Sequence, residues 1–241
     1  LSRYDGLDAA GLERLCGAPL VVLQSSIPST QDEAHRLGAD GAPAGTVVLA
    51  EEQTEGRGRQ RRAWHSPAGA GVWMSVLLRP RVRPEGGALA IRAGLATAAA
   101  LAAAAPRVAA RLRWPNDIVV ADRKVGGILC EARWSGESLA WVAVGVGLNV
   151  RGPVDPSVRD RALALGDVAP EVSRLALFAA LVPRLVALEA LPAALTPEER
   201  RAFLRAEWRE PGAEETVDLE PDGARIVRAS GGALDRRAIV S

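Results

Sequence analysis

Glu52-Gln53-Thr54-Glu55-Gly56-Arg57-Gly58-Arg59-Gln60-Arg61-Arg62-Ala63-Trp64 lies between two apolar runs, Thr46-Val47-Val48-Leu49-Ala50 and Val72-Trp73-Met74-Ser75-Val76-Leu77-Leu78. The flanks read as buried strands, and a run so charged between them cannot enter a core. Four arginines and two glycines fall within Gly56–Arg62. Glycine lets the backbone turn and approach a ligand closely, successive N–H groups in such turns form an anion-binding concavity, and arginine offers a forked donor to phosphate or carboxylate. Three readings stand at this point: an anion-binding loop, a solvated hairpin loop, and a patch for nucleic acid.

The rest of the 241-residue chain narrows them. Its net charge is +1, so no global field draws it to nucleic acid or anionic membrane, and the basic character is local. Cys16 and Cys130 are far apart, and with two histidines they form no metal-ligand spacing, so no protein-held metal is expected. The Ala-rich run at 96–105 is too short to span a bilayer, no signal peptide is recognisable, and a cytoplasmic protein is expected. Lysine occurs once, at Lys124.

Taken in order, Leu7, Leu12 and Leu15 suggest one side of a short helix, and Leu20–Leu23 a buried strand. After Pro28, Ser29-Thr30-Gln31-Asp32-Glu33 opens a helix to about Leu37, with Ser29 or Thr30 as N-cap and acids in the first turn. His35 within it reads as a surface or satisfied side chain. Strands follow at 46–50 and 72–78, then a helix over 88–105. A three-strand meander comes next: Arg113–Val120, with Pro115 demanding an irregularity or an edge there; Val125–Ala132 after a turn at 121–124; and Leu139–Val150. Glycines on the second and third strands leave room for something flat above the sheet. Helices are expected at 157–165, 172–191 and 197–208, the last capped by Thr196 with Pro197 at its first position. Three short strands at 215–219, 225–229 and 234–240, with a turn at Ser230-Gly231-Gly232, make an appendage of roughly thirty residues, too small to be stable alone.

Three groups besides the Arg-rich run could carry chemistry: Arg113-Trp114-Pro115-Asn116-Asp117, Lys124 before Gly126-Gly127, and Gly145-Val146-Gly147-Leu148-Asn149. Each alone has an ordinary structural reading as a bulge, a solvated turn lysine and a packed strand end. Together, Ser29-Thr30-Gln31-Asp32-Glu33-Ala34, the run from Gly56 to Pro80, Arg113–Leu129 and Gly145–Val150 closely resemble the biotin–protein ligases, in the same order. The run is no Walker A loop, which would need G-x-x-x-x-G-K-[ST].

That resemblance implies an α+β fold. A mixed, mostly antiparallel sheet would carry helices on one face, as in class II synthetase-like catalytic domains, over residues 1–209. A small SH3-like β domain would occupy 210–241. It also implies a two-step reaction. A biotin carboxylate attacks the α-phosphorus of ATP to give biotinyl-5′-AMP, and a lysine of a biotin carboxyl carrier domain then takes the biotin. The acetyl-CoA carboxylase carrier is the expected acceptor, or a related carboxylase. Mg²⁺ would accompany ATP, held mainly by phosphates. Lys124, Arg57 and Arg59 match the family's catalytic positions. Ser29, Thr30, Gln53, Gly56, Arg57, Lys124 and Gly127 match its biotin contacts, and Arg59, Arg62, Trp64, Asn116, Asp117 and Asn149 its nucleotide contacts. The loop would order on ligand binding.

Some residues depart from the family's pattern. Arg113 replaces the commoner Lys, Gln31 the usual Asn, and Arg61 a common Gly. About 28 residues precede Ser29, too few for the helix-turn-helix that many members carry, so a ligase without DNA binding is expected, as monomer or homodimer. A lipoate or octanoate ligase or transferase of the same fold is the alternative, and an Arg-rich nucleic-acid module is the alternative from another class.

Overall fold

The structure is a computed structural model, and it describes residues 2–229 and 232–239. The turn expected at Ser230-Gly231 and the strand end at Val240 lie outside the described residues. The main sheet has seven strands in the order β1-β2-β3-β7-β6-β5-β4. Edge strand β1 (Val21–Gln24) pairs parallel with β2 (Val47–Ala50). A parallel pair needs a crossover, which helix α2 (Thr30–Ala39) supplies. All later pairings are antiparallel: β3 (Gly71–Leu78), β7 (Ser138–Asn149), β6 (Arg123–Ser135), β5 (Asp117–Val120) and β4 (Arg111–Arg113).

Alternation along the strands sorts side chains to two faces. Val47, Leu49, Met74, Val76, Val144 and Val146 belong to the main core with helices α1 (Ala9–Cys16), α3 (Ala88–Ala104) and α4 (Arg174–Val186). On α1 Leu12 is buried, whereas Leu15, expected beside it, is exposed. Val48 and Ala143 point the other way and meet Ala34 of α2 in a small second cluster, with Val22 and Leu37 packed against it. Around Gly127, Gly145 and Gly147 that second face borders a cleft.

Two expectations are corrected. The run from Arg113 to Val120 is not one strand: β4 and β5 fold back on each other with Arg113 opposite Asp117. Proline has no N–H for a ladder, so the chain turns at Trp114-Pro115-Asn116 instead of running straight. The next turn is tighter than expected. Val120 pairs with Arg123, and Ala121 and Asp122 take φ of 47° and 59° as a two-residue primed hairpin requires, so Lys124 already lies in the strand.

The segment expected as a helix at 157–165 has only short 3-10 turns, at Pro156–Val158 and Leu165–Asp167. Between them the backbone finds its partners on β6: Lys124 N donates to Arg161 O at 2.8 Å and Leu163 N to Lys124 O at 3.0 Å.

Helix α5 (Pro197–Ala206) starts on the Thr196–Glu199 capping box. The C-terminal sheet of β8 (Glu215–Leu219), β9 (Arg225–Arg228) and β10 (Leu234–Arg237) is antiparallel. Leu219 reaches the main core, and Trp114 Nε1 donates to Gly223 O at 3.0 Å. Among the described residues no helix is long and apolar enough to cross a membrane.

The N-terminal lead-in is tied to the sheet by one buried cation. Arg174, 3% exposed, pairs with Asp5 and with both carboxylate oxygens of Glu51, at 2.8 and 3.0 Å. Its guanidinium carbon lies 4.1 Å from the centre of the Tyr4 ring, and Tyr4 OH donates to Gly71 O. Arg174→Met would leave Glu51 without its cation and Asp5 with Arg151 alone, 3.6 Å away. We expect a loss of about 3–5 kcal/mol, read as a lower urea midpoint at unchanged m-value.

Candidate active site

The open face of the sheet carries a cleft of about 910 Å³. Its walls are the N-terminus of α2, the loop from Gln53 to Pro67, and the β4–β5–β6 hairpins. Its floor is where β6 and β7 lie side by side with Gly127 opposite Gly147 and Leu129 opposite Gly145. The flat object expected above these glycines is a side chain of the protein itself. A Cβ on Gly147 would stand 2.6 Å from Trp64 Nε1 and 2.8 Å from Trp64 Cε2. Trp64 also meets Trp73 edge-on at 6.4 Å. At Gly127 a Cβ would stand 3.5 Å from Lys124 Nζ and 3.6 Å from the Trp64 ring.

The Arg-rich loop is a small hairpin. Trp64 N donates to Gly56 O and Gly58 N to Arg62 O, both at 2.8 Å. Gly56 is required by closeness, since a Cβ there would lie 2.5 Å from Trp64 O. At the tip Gln60 and Arg61 take φ of 55° and 56°. This is the left-handed region that favours glycine, which explains physically why glycine suits position 61 and why an arginine there is strained. Arg62 is exposed and lines the cleft.

Two charged centres face the cleft. At one, Arg57 donates through Nη1 to Ser29 Oγ at 3.1 Å and Asp32 Oδ2 at 2.8 Å, and through Nη2 to Glu131 Oε2 at 2.9 Å. Ser29 occupies the N-cap position, but its side chain does not cap the helix as expected; its oxygen serves Arg57 instead. At the other, Lys124 Nζ lies 2.6 Å from Asp117 Oδ1 and 5.1 Å from the centre of the Trp64 ring, while Arg113 holds Asp117 Oδ2. Arg59 reaches across from the loop to Asn116 Oδ1 at 3.4 Å, and Asn116 Nδ2 donates to Ile128 O. Asn149 lines the cleft with Nδ2 3.4 Å from Leu163 O.

Beside Arg57 the polarity of the neutral groups follows from counting hydrogens. Gln53 Oε1 accepts from Thr30 N at 2.8 Å and from Thr30 Oγ1 at 3.1 Å. Thr30 has then spent its one hydroxyl hydrogen, so Ser75 is the donor in the 2.9 Å contact between their oxygens. Gln53 Nε2 donates to Ser66 Oγ, and Ser66 donates to Trp64 O. Gln53 thus turns its acceptor inward and keeps one N–H in hand.

Glu131, Gln31 and His35 belong to the same constellation, although the sequence did not point to them as site residues. Glu131 Oε2 lies 3.3 Å from His35 Nε2 and 3.5 Å from Gln31 Nε2. The hydrogen bond from His35 and then that from Arg57 hold its carboxyl at about 2, well below the ordinary 4.5. Glu131 shares its face of β6 with Gly127 and Leu129, and that alternation was the available signal. Among the described residues no group of three or more His, Cys, Asp or Glu side chains is arranged to hold a metal ion.

Two outcomes test this geometry. Gly147→Ala forces Trp64 off the floor and should cost about 1–3 kcal/mol, most of it absent when Trp64→Ala is already present, in a urea-unfolding cycle. Glu131, with its folded-state pKa depressed, contributes stability that is full above pH 4.5 and is lost as pH falls through about 2. The stability difference between wild type and Glu131→Gln should therefore shrink across that window in pH-dependent denaturation.

Comparison with known proteins adds the following. The model of a family described as the biotin/lipoate A/B protein ligase family matches residues 23–149. The chain is 37% identical over 158 residues to the bifunctional ligase/repressor BirA of Bacillus spizizenii, covering 63% of this chain and 47% of that protein. It is 43% identical over 134 residues to the biotin--[acetyl-CoA-carboxylase] ligase of Paracoccus denitrificans, covering 53% of each. The chain thus spans about half the length of these curated relatives. Among solved structures, biotin protein ligase from Aquifex aeolicus in complex with biotin and ATP superposes with a TM-score of 0.72 at 24% identity, over 91% of this chain and 95% of that one. That likeness establishes the fold.

Proposed function

This chain belongs to the biotin/lipoate A/B protein ligase family, and on that premise we propose that it is a biotin–protein ligase. It activates biotin with ATP and passes it to a lysine of a biotin carboxyl carrier domain, that of acetyl-CoA carboxylase first. The observation that carries this reading is the meeting of two cationic centres, Arg57 and Lys124, in one cleft over a glycine floor. The relative named as a biotin--[acetyl-CoA-carboxylase] ligase supports it as well.

In the first step a biotin carboxylate oxygen attacks the α-phosphorus, the bond to the β-phosphate bridge breaks, and pyrophosphate leaves. Both reactants are anionic, so fixed donors at the junction lower the barrier. Lys124 is the group for that junction. Its backbone N–H and C=O are both bonded to the 161–163 segment, and its ammonium is held between Asp117 and the Trp64 ring. Arg57, Ser29, Thr30 and Gln53 take the biotin head, with Gly56 and Gly127 giving backbone approach. Trp64, Arg59, Arg62, Asn116, Asp117 and Asn149 form the nucleotide side, Arg59 acting at the phosphates. Magnesium would accompany ATP, held mainly by the nucleotide rather than by side chains of this chain. In the second step the acceptor amine attacks the acyl carbon, AMP leaves with the bridging oxygen, and the amine sheds its proton as the amide forms. We place the catalytic unit at residues 1–209 and a separate small unit at 210–241, in a cytoplasmic protein that is a monomer or homodimer.

The deciding experiment incubates the chain with ATP, magnesium and the carrier domain, with either biotin or lipoate. Mass spectrometry should find one biotin on one acceptor lysine and no lipoyl adduct; the reverse pattern refutes the reading. Lys124→Met should keep its unfolding midpoint and lose about 100-fold or more in biotin-dependent pyrophosphate release.

A further inference from the structure

Arg57 is held from outside the ligand space as well as facing it. Its two anionic partners are unequal: the Asp32 side chain is 60% exposed, where water competes, and that of Glu131 only 28%. Behind Glu131 stands His35, 7% exposed. Trp141 Nε1 donates to His35 Nδ1 at 3.0 Å, which leaves the ring hydrogen on Nε2, facing Glu131 Oε2. Donation therefore runs in one sense from Trp141 to His35 to Glu131. Arg57 meets that chain from the other side, giving one N–H to Glu131 and another to Ser29. Because Ser29 Oγ accepts there, its own hydrogen is left to donate elsewhere.

We propose that Glu131, backed by His35, is a positioning residue for biotin activation: it fixes the Arg57 guanidinium, and through it turns the Ser29 hydroxyl hydrogen toward the head of the bound acid. This rests on the biotin-ligase reading. A long arginine anchored before the ligand arrives has less freedom to lose on binding, so the effect belongs in ligand affinity. The carboxylate held at about 2 is ionised throughout the neutral range, which makes it a constant anchor.

Steady-state pyrophosphate release by the full chain, with biotin and in parallel with lipoate, tests the proposal. Glu131→Gln should raise KM for biotin about tenfold, with kcat within about threefold and KM for ATP unchanged. His35→Leu should raise the same KM by several-fold. In a Ser29→Ala background Glu131→Gln should add less than about twofold, since the two act through one contact. An unchanged biotin KM, or an undiminished effect in the Ser29→Ala background, overturns the proposal. Should Glu131→Gln lose its cooperative melting, Glu131→Asp, which keeps charge and shortens reach, takes its place with the same expected rise. Limited trypsin digestion supplies a readout independent of turnover. Cleavage after Arg57 should quicken several-fold in the variant while cleavage after Arg62 does not, and equal rates at Arg57 overturn the assignment. A wild type that activates lipoate alone sinks the biotin reading but leaves the positioning role to be judged on the KM for lipoate. A wild type that activates neither acid leaves the digestion to decide it.

Discussion

Two neighbouring strands give up their side chains at the same level. Gly127 on β6 is opposite Gly147 on β7, and Gly145 stands one residue pair further along the same face. That absence of Cβ atoms is the constraint on which the cleft depends. It lets Trp64 lie against the sheet backbone, which places the aromatic face 5.1 Å from the Lys124 ammonium. With Trp64 seated, the Arg-rich loop closes as a hairpin through Gly56. A side chain at Gly147 would push out the ring, then the loop, then the arginine that the loop carries to α2.

The charges above the floor are arranged so that neither cation is bare. Arg57 answers Asp32 and Glu131, and Lys124 and Arg113 share Asp117. Paired charges of this kind contribute little to stability, because desolvation offsets much of the attraction. Their effect is to fix orientation, and Arg57 and Lys124 both line the one cleft. An incoming anion then meets donors already aligned, with less solvent to reorganise than around a free side chain.

Much of this was legible in the chain because it was local. Apolar strand runs, the Thr196 N-cap with Pro197 behind it and the glycine-bearing strands announced themselves within a few residues, and the family motifs gave their order along the chain. The failures came where partners are distant in sequence. Ser29 has every local mark of a capping residue, yet its oxygen serves an arginine 28 positions away. Glu131 looked like an ordinary strand residue because its partner Arg57 is 74 positions away. Residues 157–165 had a helix-like composition, and lost that form because the backbone at 161 and 163 bonds to Lys124. Pro115 correctly announced an irregularity, but the pairing of Arg113 with Asp117 shows it to be a full reversal.

Under the proposed reaction the solitary lysine has one further meaning. An acyl-adenylate is an indiscriminate electrophile, and a protein that makes one is exposed first to its own product. Surface amines would be acylated in passing, each such event wasting a turnover and altering the enzyme. This chain has 30 basic Lys and Arg residues, and all but Lys124 are arginines, whose guanidinium groups are poor nucleophiles. The one lysine amine is paired with Asp117 at 2.6 Å. On the proposed reaction this composition leaves few side-chain amines to acylate, and the nucleophile of the second step arrives from another molecule.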